Sequence, residues 1–316
     1  MINKRRSFIT GIKSTKLSNS EVIFLKKYKP WGIILFSRNI KSISQTQKLT
    51  SQIKNIFKDN NYPILVDEEG GKVSRLNKFI DSSIFTAEFF GNLYKKDKKK
   101  FISYYNIYIK QISYLLNLLG ININTVPVLD VRRKFTNKII GSRSFSSDPF
   151  LVFKLGKFCI KKFHENHIGT IIKHIPGHGL SKEDSHKKLP TIKNNIKLLN
   201  NVDFFPFKKQ DALLAMTAHV IYKDIDSKNT TTHSKKVIKI IRKKIAFKNI
   251  IMSDDISMKA LKYSVSENTT RAFNAGCNLV LHCNGNYKEM LIVGKKSPLL
   301  SDFVIKKTSQ LMNIVR

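Results

Sequence analysis

Short apolar runs recur along the chain, each closed by a polar turn and most followed by a helix-like pattern. They are FITGI (8–12), GIILF (32–36), PILVD (63–67), NTVPVLDV (124–131), GTIIKHI (169–175), LLAMTAHVI (213–221), NIIMSDDIS (249–257) and NLVLHC (278–283). Runs this continuous suit strands buried on both faces. Helix signals lie between them. SNSEVIFLKKY opens on a Ser cap, a long segment over about 96–119 stops at Gly120, DPFLVFKLGKFCIKKFHEN opens on Asp-Pro, and SKKVIKIIRKKIAF spaces its apolar residues at the helical period. Eight strand–helix units predict an α/β fold, a closed (β/α)8 TIM barrel. A doubly wound open sheet is the alternative, and no G-x-G-x-x-G follows an early strand to support it. No Pro-, Ser- or Gly-rich linker and no repeat interrupts the pattern, so residues 1–316 read as a single domain. The lysine run 95–100 reads as the solvated start of a helix.

The polar residues that close these runs change the picture. Asp67, Asp130, His174, His219 and Asp254 each stand at the C-terminal end of a strand run. In a barrel those ends surround one mouth, where the active site lies. Any one of them alone would suit a cap or a satisfied structural group; five together favour a site.

Three stretches carry candidate chemistry. In VDEEGGKVSRL, three acids beside Gly-Gly suit either a group that holds sugar hydroxyls or a tight polar turn, and the residues do not choose between them. Lys72 and Arg75 make a lone hard-cation site unattractive there. KHIPGHGLSKEDSH places three of the chain's eight histidines in fourteen residues. His174 and His178 are four apart, but Pro176, Gly177 and Gly179 prevent the helix that would set both on one face, so zinc is the weaker reading. A plain surface loop seldom needs so many ionisable groups. The third account is an active-site lid, with Gly177 and Gly179 as pivots and Asp184 beside His186 as a proton-transferring pair. IIMSDDISM sets Asp254 and Asp255 after a buried strand, where successive side chains point to opposite faces and only one can enter the barrel mouth.

Composition and charge narrow the classes. Three cysteines without a Cys-x-x-Cys pair indicate neither a disulfide framework nor a thiolate zinc site. The basic N-terminus has no apolar segment behind it, and no window is apolar enough to span a membrane, so a cytoplasmic protein is expected. The formal net charge of +35 raises nucleic-acid binding as a hypothesis. The lysines are spread along the polar faces of helices and accompany abundant isoleucine and asparagine, so drift of composition is preferred. An anionic substrate stands between the two.

Taken together, GIILFSRN, VDEEGGKVSRL, PVLDV, IGSRSFSSDP, KHIPGHG, DSHKKLP, TAHVIY, MSDDISM and AGCNLVLHCN occur in an order covering nearly the whole chain. It resembles the single-domain bacterial β-N-acetylglucosaminidases (β-hexosaminidases) of glycoside hydrolase family 3, the peptidoglycan-recycling type. The resemblance implies a retaining exo-enzyme that removes terminal N-acetylglucosamine from GlcNAc-1,6-anhydroMurNAc peptides. It implies Asp254 as nucleophile, His186 as acid/base with Asp184 as its partner, and Asp67, Arg75, Arg143, Lys173 and His174 as substrate-binding residues. No metal or organic cofactor is implied; the expected partner is an amino-sugar substrate, with neither membrane nor nucleic acid, and the chain is expected to be a monomer. A phosphorylase on the same fold, or a decayed barrel that only binds sugar or nucleic acid, are the alternatives. The sequence departs from the family pattern at Glu68, where glutamine is expected; its charge is expected either to raise the pKa of Asp67 or to point into solvent.

Overall fold

A computed structural model describes residues 2–133, 140–180, 189–259 and 261–316. The strands are β1 (Arg6–Gly11), β2 (Pro30–Leu35), β3 (Ile64–Val66), β4 (Ile123–Asn124), β5 (Gly169–Ile175), β6 (Thr191–Ile192), β7 (Leu214–Thr217), β8 (Ile221–Tyr222), β9 (Ile250–Asp255) and β10 (Leu279–His282). Eight of them close into a parallel barrel in the order β1-β2-β3-β4-β5-β7-β9-β10, with β10 returning to β1. The other two, β6 and β8, pair with each other outside it. The helices are α1 (Asn19–Tyr28), α2 (Ile43–Phe57), α3 (Ala87–Lys96), α4 (Lys98–Leu118), α5 (Pro149–Glu165), α6 (Ile196–Asn201), α7 (Lys235–Lys243), α8 (Val265–Ala275), α9 (Tyr287–Lys296) and α10 (Asp302–Ile314). Among the described residues no helix is long and apolar enough to cross a membrane.

Local chemistry explains the boundaries. Ser18 caps α1 through the Glu21 N–H while Glu21 reaches back to the Ser18 N–H, a reciprocal capping box. Asp148 caps α5 with Pro149 in its first turn, and Ser234 caps α7. The lysine run at 95–100 is not one helix start. Asp97 breaks it: its N–H donates to the Leu93 carbonyl at the end of α3, and its carboxylate accepts the Lys100 N–H at the start of α4. The strand expected over 124–131 shrinks to Ile123–Asn124 because Pro127 has no N–H for the ladder. The chain nonetheless stays beside β5: the Lys173 N–H donates to Pro127 O, and the Leu129 N–H to Lys173 O.

Side-chain parity sorts the two apolar layers. Leu65, Ile123, Ile171, Leu214, Met216, Ile250, Met252, Leu279 and Leu281 fill the barrel lumen together with Leu311 of α10, and Trp31 donates its indole N–H to Thr308 of that helix at 2.8 Å. Their neighbours Ile64, Val66, Ile172, Ala215, Ile251 and Val280 face the helices. Two residues on from the lumen positions Leu65, Ile171 and Met252, the same parity brings Asp67, Lys173 and Asp254 to the mouth. The ladder to β7 shifts register between Lys173 and Ile175, which is why His174, the next residue, also reaches the mouth.

The turn after β5 is packed tightly. A Cβ on Gly179 would sit 2.0 Å from the Val131 carbonyl oxygen, and one on Gly177, at φ +141°, would sit 2.9 Å from Asp203. Close backbone approach therefore requires glycine at both positions, and the positive φ requires it at Gly177 as well. Asp203 lies fully buried beneath the turn, 3.6 Å from Arg133 Nη2, and the Tyr222 hydroxyl donates to the Gly177 carbonyl. Burial pushes the Asp203 carboxyl up to about 7, against the pull of Arg133. Its folded pKa thus stands above the ordinary value of about 3.9, so its contribution is complete below that value and is lost as pH rises through about 7. The Asp203→Asn protein lacks this loss. The melting temperature of the wild type minus that of Asp203→Asn is expected to fall from about pH 5 to about pH 8; a difference that stays constant over that range would contradict it.

Candidate active site

A cavity of about 140 Å³ opens at the C-terminal ends of the strands. Met216 and Leu281 bring the lumen core up to its floor, and its wall holds Asp67, Glu69, Arg75, Arg143, Lys173, His174, His178, Asp254 and Cys283. Six of the residues expected from the sequence are therefore in one place: Asp67, Arg75, Arg143, Lys173, His174 and Asp254. Asp184 and His186, expected as a proton-transferring pair, lie outside the described residues.

Lys173 ties the wall together. Its ammonium is 3.1 Å from Asp67 Oδ1, 2.5 Å from Glu69 Oε1 and 2.8 Å from Thr125 Oγ1, with its side chain 3% exposed. Three donors meet three acceptors, which is what a buried ammonium requires. Thr125 also donates to Asp67, and Arg75 Nη2 stands 3.8 Å from Asp67 Oδ2. Burial raises the Asp67 carboxyl, but Lys173, Arg75 and the Thr125 hydroxyl outweigh it and leave it below its ordinary range. Arg143, in the 3-10 turn Gly141–Arg143, grips Glu69 with two parallel bonds, Nε to Oε2 at 2.7 Å and Nη2 to Oε1 at 2.9 Å. Burial opposes the charge of each partner, yet Glu69 is held well below the usual carboxylate range and Arg143 above the usual guanidinium value. Ser144 carries that turn to its place by donating from Oγ to the Asp130 carbonyl at 2.6 Å.

Behind the wall, Asp130 is fully buried and organises the histidine motif. Its Oδ2 is 2.7 Å from His174 Nδ1, and its Oδ1 accepts the His178 N–H at 2.7 Å. Burial raises the Asp130 carboxyl, and the two histidines more than offset this, so it stays ionised and fixes the proton of His174 on Nδ1. The His178 ring is buried with neither nitrogen partnered among the described residues, and burial drives its pKa down to about 4, so it is neutral near pH 7.

Asp254 and Asp255 divide their work as strand parity requires. Asp254 faces the cavity, where among the described residues its Oδ1 accepts only the Asp255 N–H, at 2.7 Å. Burial raises its carboxyl, but His219, His174, that N–H and Lys173 together hold it below the ordinary aspartate value. Asp255 instead binds the Ser257 N–H and hydroxyl and the Cys283 N–H, and burial raises its pKa.

Glu68 takes neither of the two orientations expected of it. It is 2% exposed and turned away from the cavity into the protein, where it accepts from Ser74 Oγ, the Arg75 and Leu76 N–H groups and Ser82 Oγ. A carboxylate with two acceptor oxygens closes the loop that delivers Arg75, and burial raises its pKa despite those bonds. Glu69, His178 and Cys283 were not expected among the site residues. The signal for Glu69 was present: it lies two residues beyond Asp67 in the same acidic block. Among the described residues no group of three or more His, Cys, Asp or Glu side chains is arranged to hold a metal ion.

Comparisons with known proteins agree with this geometry. The glycosyl hydrolase family 3 N-terminal domain matches residues 7–307. A beta-hexosaminidase of Neisseria meningitidis serogroup A is 32% identical over 292 residues, covering 89% of this chain and 78% of that protein. One from Xanthomonas campestris pv. campestris is 29% identical over 282 residues, covering 87% and 84%. The solved structure of NagZ from Neisseria gonorrhoeae in complex with N-trifluoroacetyl-D-glucosamine superposes with a TM-score of 0.85 at 28% identity, over 98% of this chain and 90% of that one. A β-N-acetylglucosaminidase from Paenibacillus gives a TM-score of 0.82 at 26% identity, over 97% of this chain and 60% of that longer one. This chain belongs to glycosyl hydrolase family 3, a glycoside hydrolase on a (β/α)8 barrel.

Proposed function

We propose that this protein is a retaining exo-β-N-acetylglucosaminidase with Asp254 as its nucleophile. One observation carries the reading. Asp67 and Glu69 are engaged by Lys173, Arg75 and Arg143, whereas Asp254 faces the same cavity with no cation in contact among the described residues. A carboxylate kept ionised and with lone pairs to spare is what attack on an anomeric carbon needs. The relatives named beta-hexosaminidase and the neighbour solved with an N-acylated glucosamine support the choice of sugar.

In the proposed reaction Asp254 attacks C1 of the terminal sugar, and the C1–O bond to the leaving group breaks as His186, held by Asp184, gives its proton to the departing oxygen. The product of this step is a glycosyl ester on Asp254. Neutral His186 then takes a proton from water, whose oxygen attacks C1 and releases Asp254, so two inversions give net retention. Asp67, Arg75, Arg143, Lys173 and His174 hold the sugar's polar groups. We assign the substrate to peptidoglycan fragments of the GlcNAc-1,6-anhydroMurNAc peptide type, the whole chain to one catalytic domain acting as a monomer, and the site of action to the cytoplasm.

Release of aryl alcohol from an aryl N-acetyl-β-D-glucosaminide tests the class. Wild-type turnover is expected, and Asp254→Ala is expected to abolish it; a folded but silent wild type would point to a decayed binding barrel. With phosphate present the main product should remain the free sugar, and sugar 1-phosphate as main product would make the enzyme a phosphorylase. Replacing His186 by Ala should lower turnover by about 10²–10⁴ on natural leaving groups and by less on activated aryl glycosides at the first step. Equal losses on both at that step would remove His186 from its role.

A further inference from the structure

His219 follows β7 and forms no part of the cavity wall, yet both its ring nitrogens are engaged. Nε2 lies 2.9 Å from the Asp255 carbonyl oxygen, and Nδ1 lies 2.8 Å from Thr232 Oγ1, itself 2.8 Å from Thr217 Oγ1. All three side chains are buried. A carbonyl only accepts, so Nε2 carries the proton. In the tautomer with its proton on Nε2, Nδ1 accepts from Thr232, and Thr232 accepts from Thr217. The hydrogens then run one way, from Thr217 through Thr232 and His219 to the Asp255 carbonyl.

Asp255 is also the residue whose N–H meets Asp254 Oδ1, while its own carboxylate is tied to Ser257 and to the Cys283 N–H. It is a strut fastened at its side chain and at both main-chain polar groups; its carbonyl accepts from the Met258 N–H at 3.1 Å within its own turn and from His219, the one of the two that ties it to the neighbouring strand end. We propose that His219 is a positioning residue, which fixes the carboxylate of Asp254 for attack by holding Asp255 and does not touch the substrate. The proposal rests on Asp254 being the nucleophile. It accounts for a buried histidine at a strand end that binding and proton transfer leave unused.

The test compares His219→Leu, His219→Gln and Thr232→Val on an aryl N-acetyl-β-D-glucosaminide, with free N-acetylglucosamine as competitive inhibitor and Asp254→Asn as reference. Leu removes the side-chain donor to the Asp255 carbonyl and leaves only the local Met258 N–H on it; the Gln amide restores an N–H close to where Nε2–H stood. A misplaced reacting group costs on the order of 10²-fold, so His219→Leu should lower kcat by about that factor with the inhibition constant changed less than about twofold. His219→Gln should recover most of the loss, and Thr232→Val should lower kcat to a lesser degree. The proposal fails if His219→Leu keeps wild-type kcat, if kcat and sugar affinity fall together, or if Gln does no better than Leu. Should His219→Leu not fold, Thr232→Val decides: a lower kcat at unchanged inhibition constant supports the relay, and unchanged kcat overturns it. Failure of the nucleophile assignment is separate, because Asp254→Asn would then turn over like the wild type.

Discussion

The ammonium of Lys173 is the point on which the mouth of the barrel depends. Placing a cation where its side chain is 3% exposed is costly unless acids come with it. Asp67 and Glu69 supply them, and Arg143 and Arg75 balance those in turn. The result is a wall of paired charges, each fixed in direction by the others. Removing one member leaves its partners charged and buried, so these residues act as a unit rather than as a set of independent contacts. Against that wall Asp254 stands apart: its surroundings hold it below the ordinary aspartate value, and among the described residues no cation is in contact with it.

The barrel supplies the directions that make this arrangement possible. Lumen parity delivers Asp67, Lys173 and Asp254 inward, and the register shift in β5 adds His174. Residues of the opposite parity do the holding. Glu68 closes the loop that carries Arg75, and Asp255 braces Asp254. Asp130 and His219, buried behind the wall, fix the histidine motif and the brace. Among the described residues the +35 net charge of the chain has no counterpart at the mouth, where cations and carboxylates are interleaved.

Much of the fold was legible because its signals are local. The eight apolar runs fall on the eight barrel strands, and Ser18, Asp148 and Ser234 mark helix starts that the structure keeps. What could not be read was parity. A strand buried on both faces is apolar at every position, so no alternation told Asp254 from Asp255 or showed that Glu68 would turn into the protein. The loss of most of the strand at 124–131 was announced by Pro127, but the run of apolar residues outweighed it. Glu69 was hidden for a different reason: its importance lies in Arg143 and Lys173, which are 74 and 104 residues away and meet it only through the closed barrel.

In the proposed reaction Asp254 becomes covalently bonded to the sugar. Incubation with a 5-fluoro N-acetylglucosaminyl fluoride, which slows breakdown of the glycosyl-enzyme, followed by proteolysis and mass analysis of the peptides, tests it directly. One added sugar is expected on the peptide containing Ser253-Asp254-Asp255, located on Asp254 by fragmentation. A sugar on any other residue, or steady release of fluoride with no labelled peptide at any time, would contradict it.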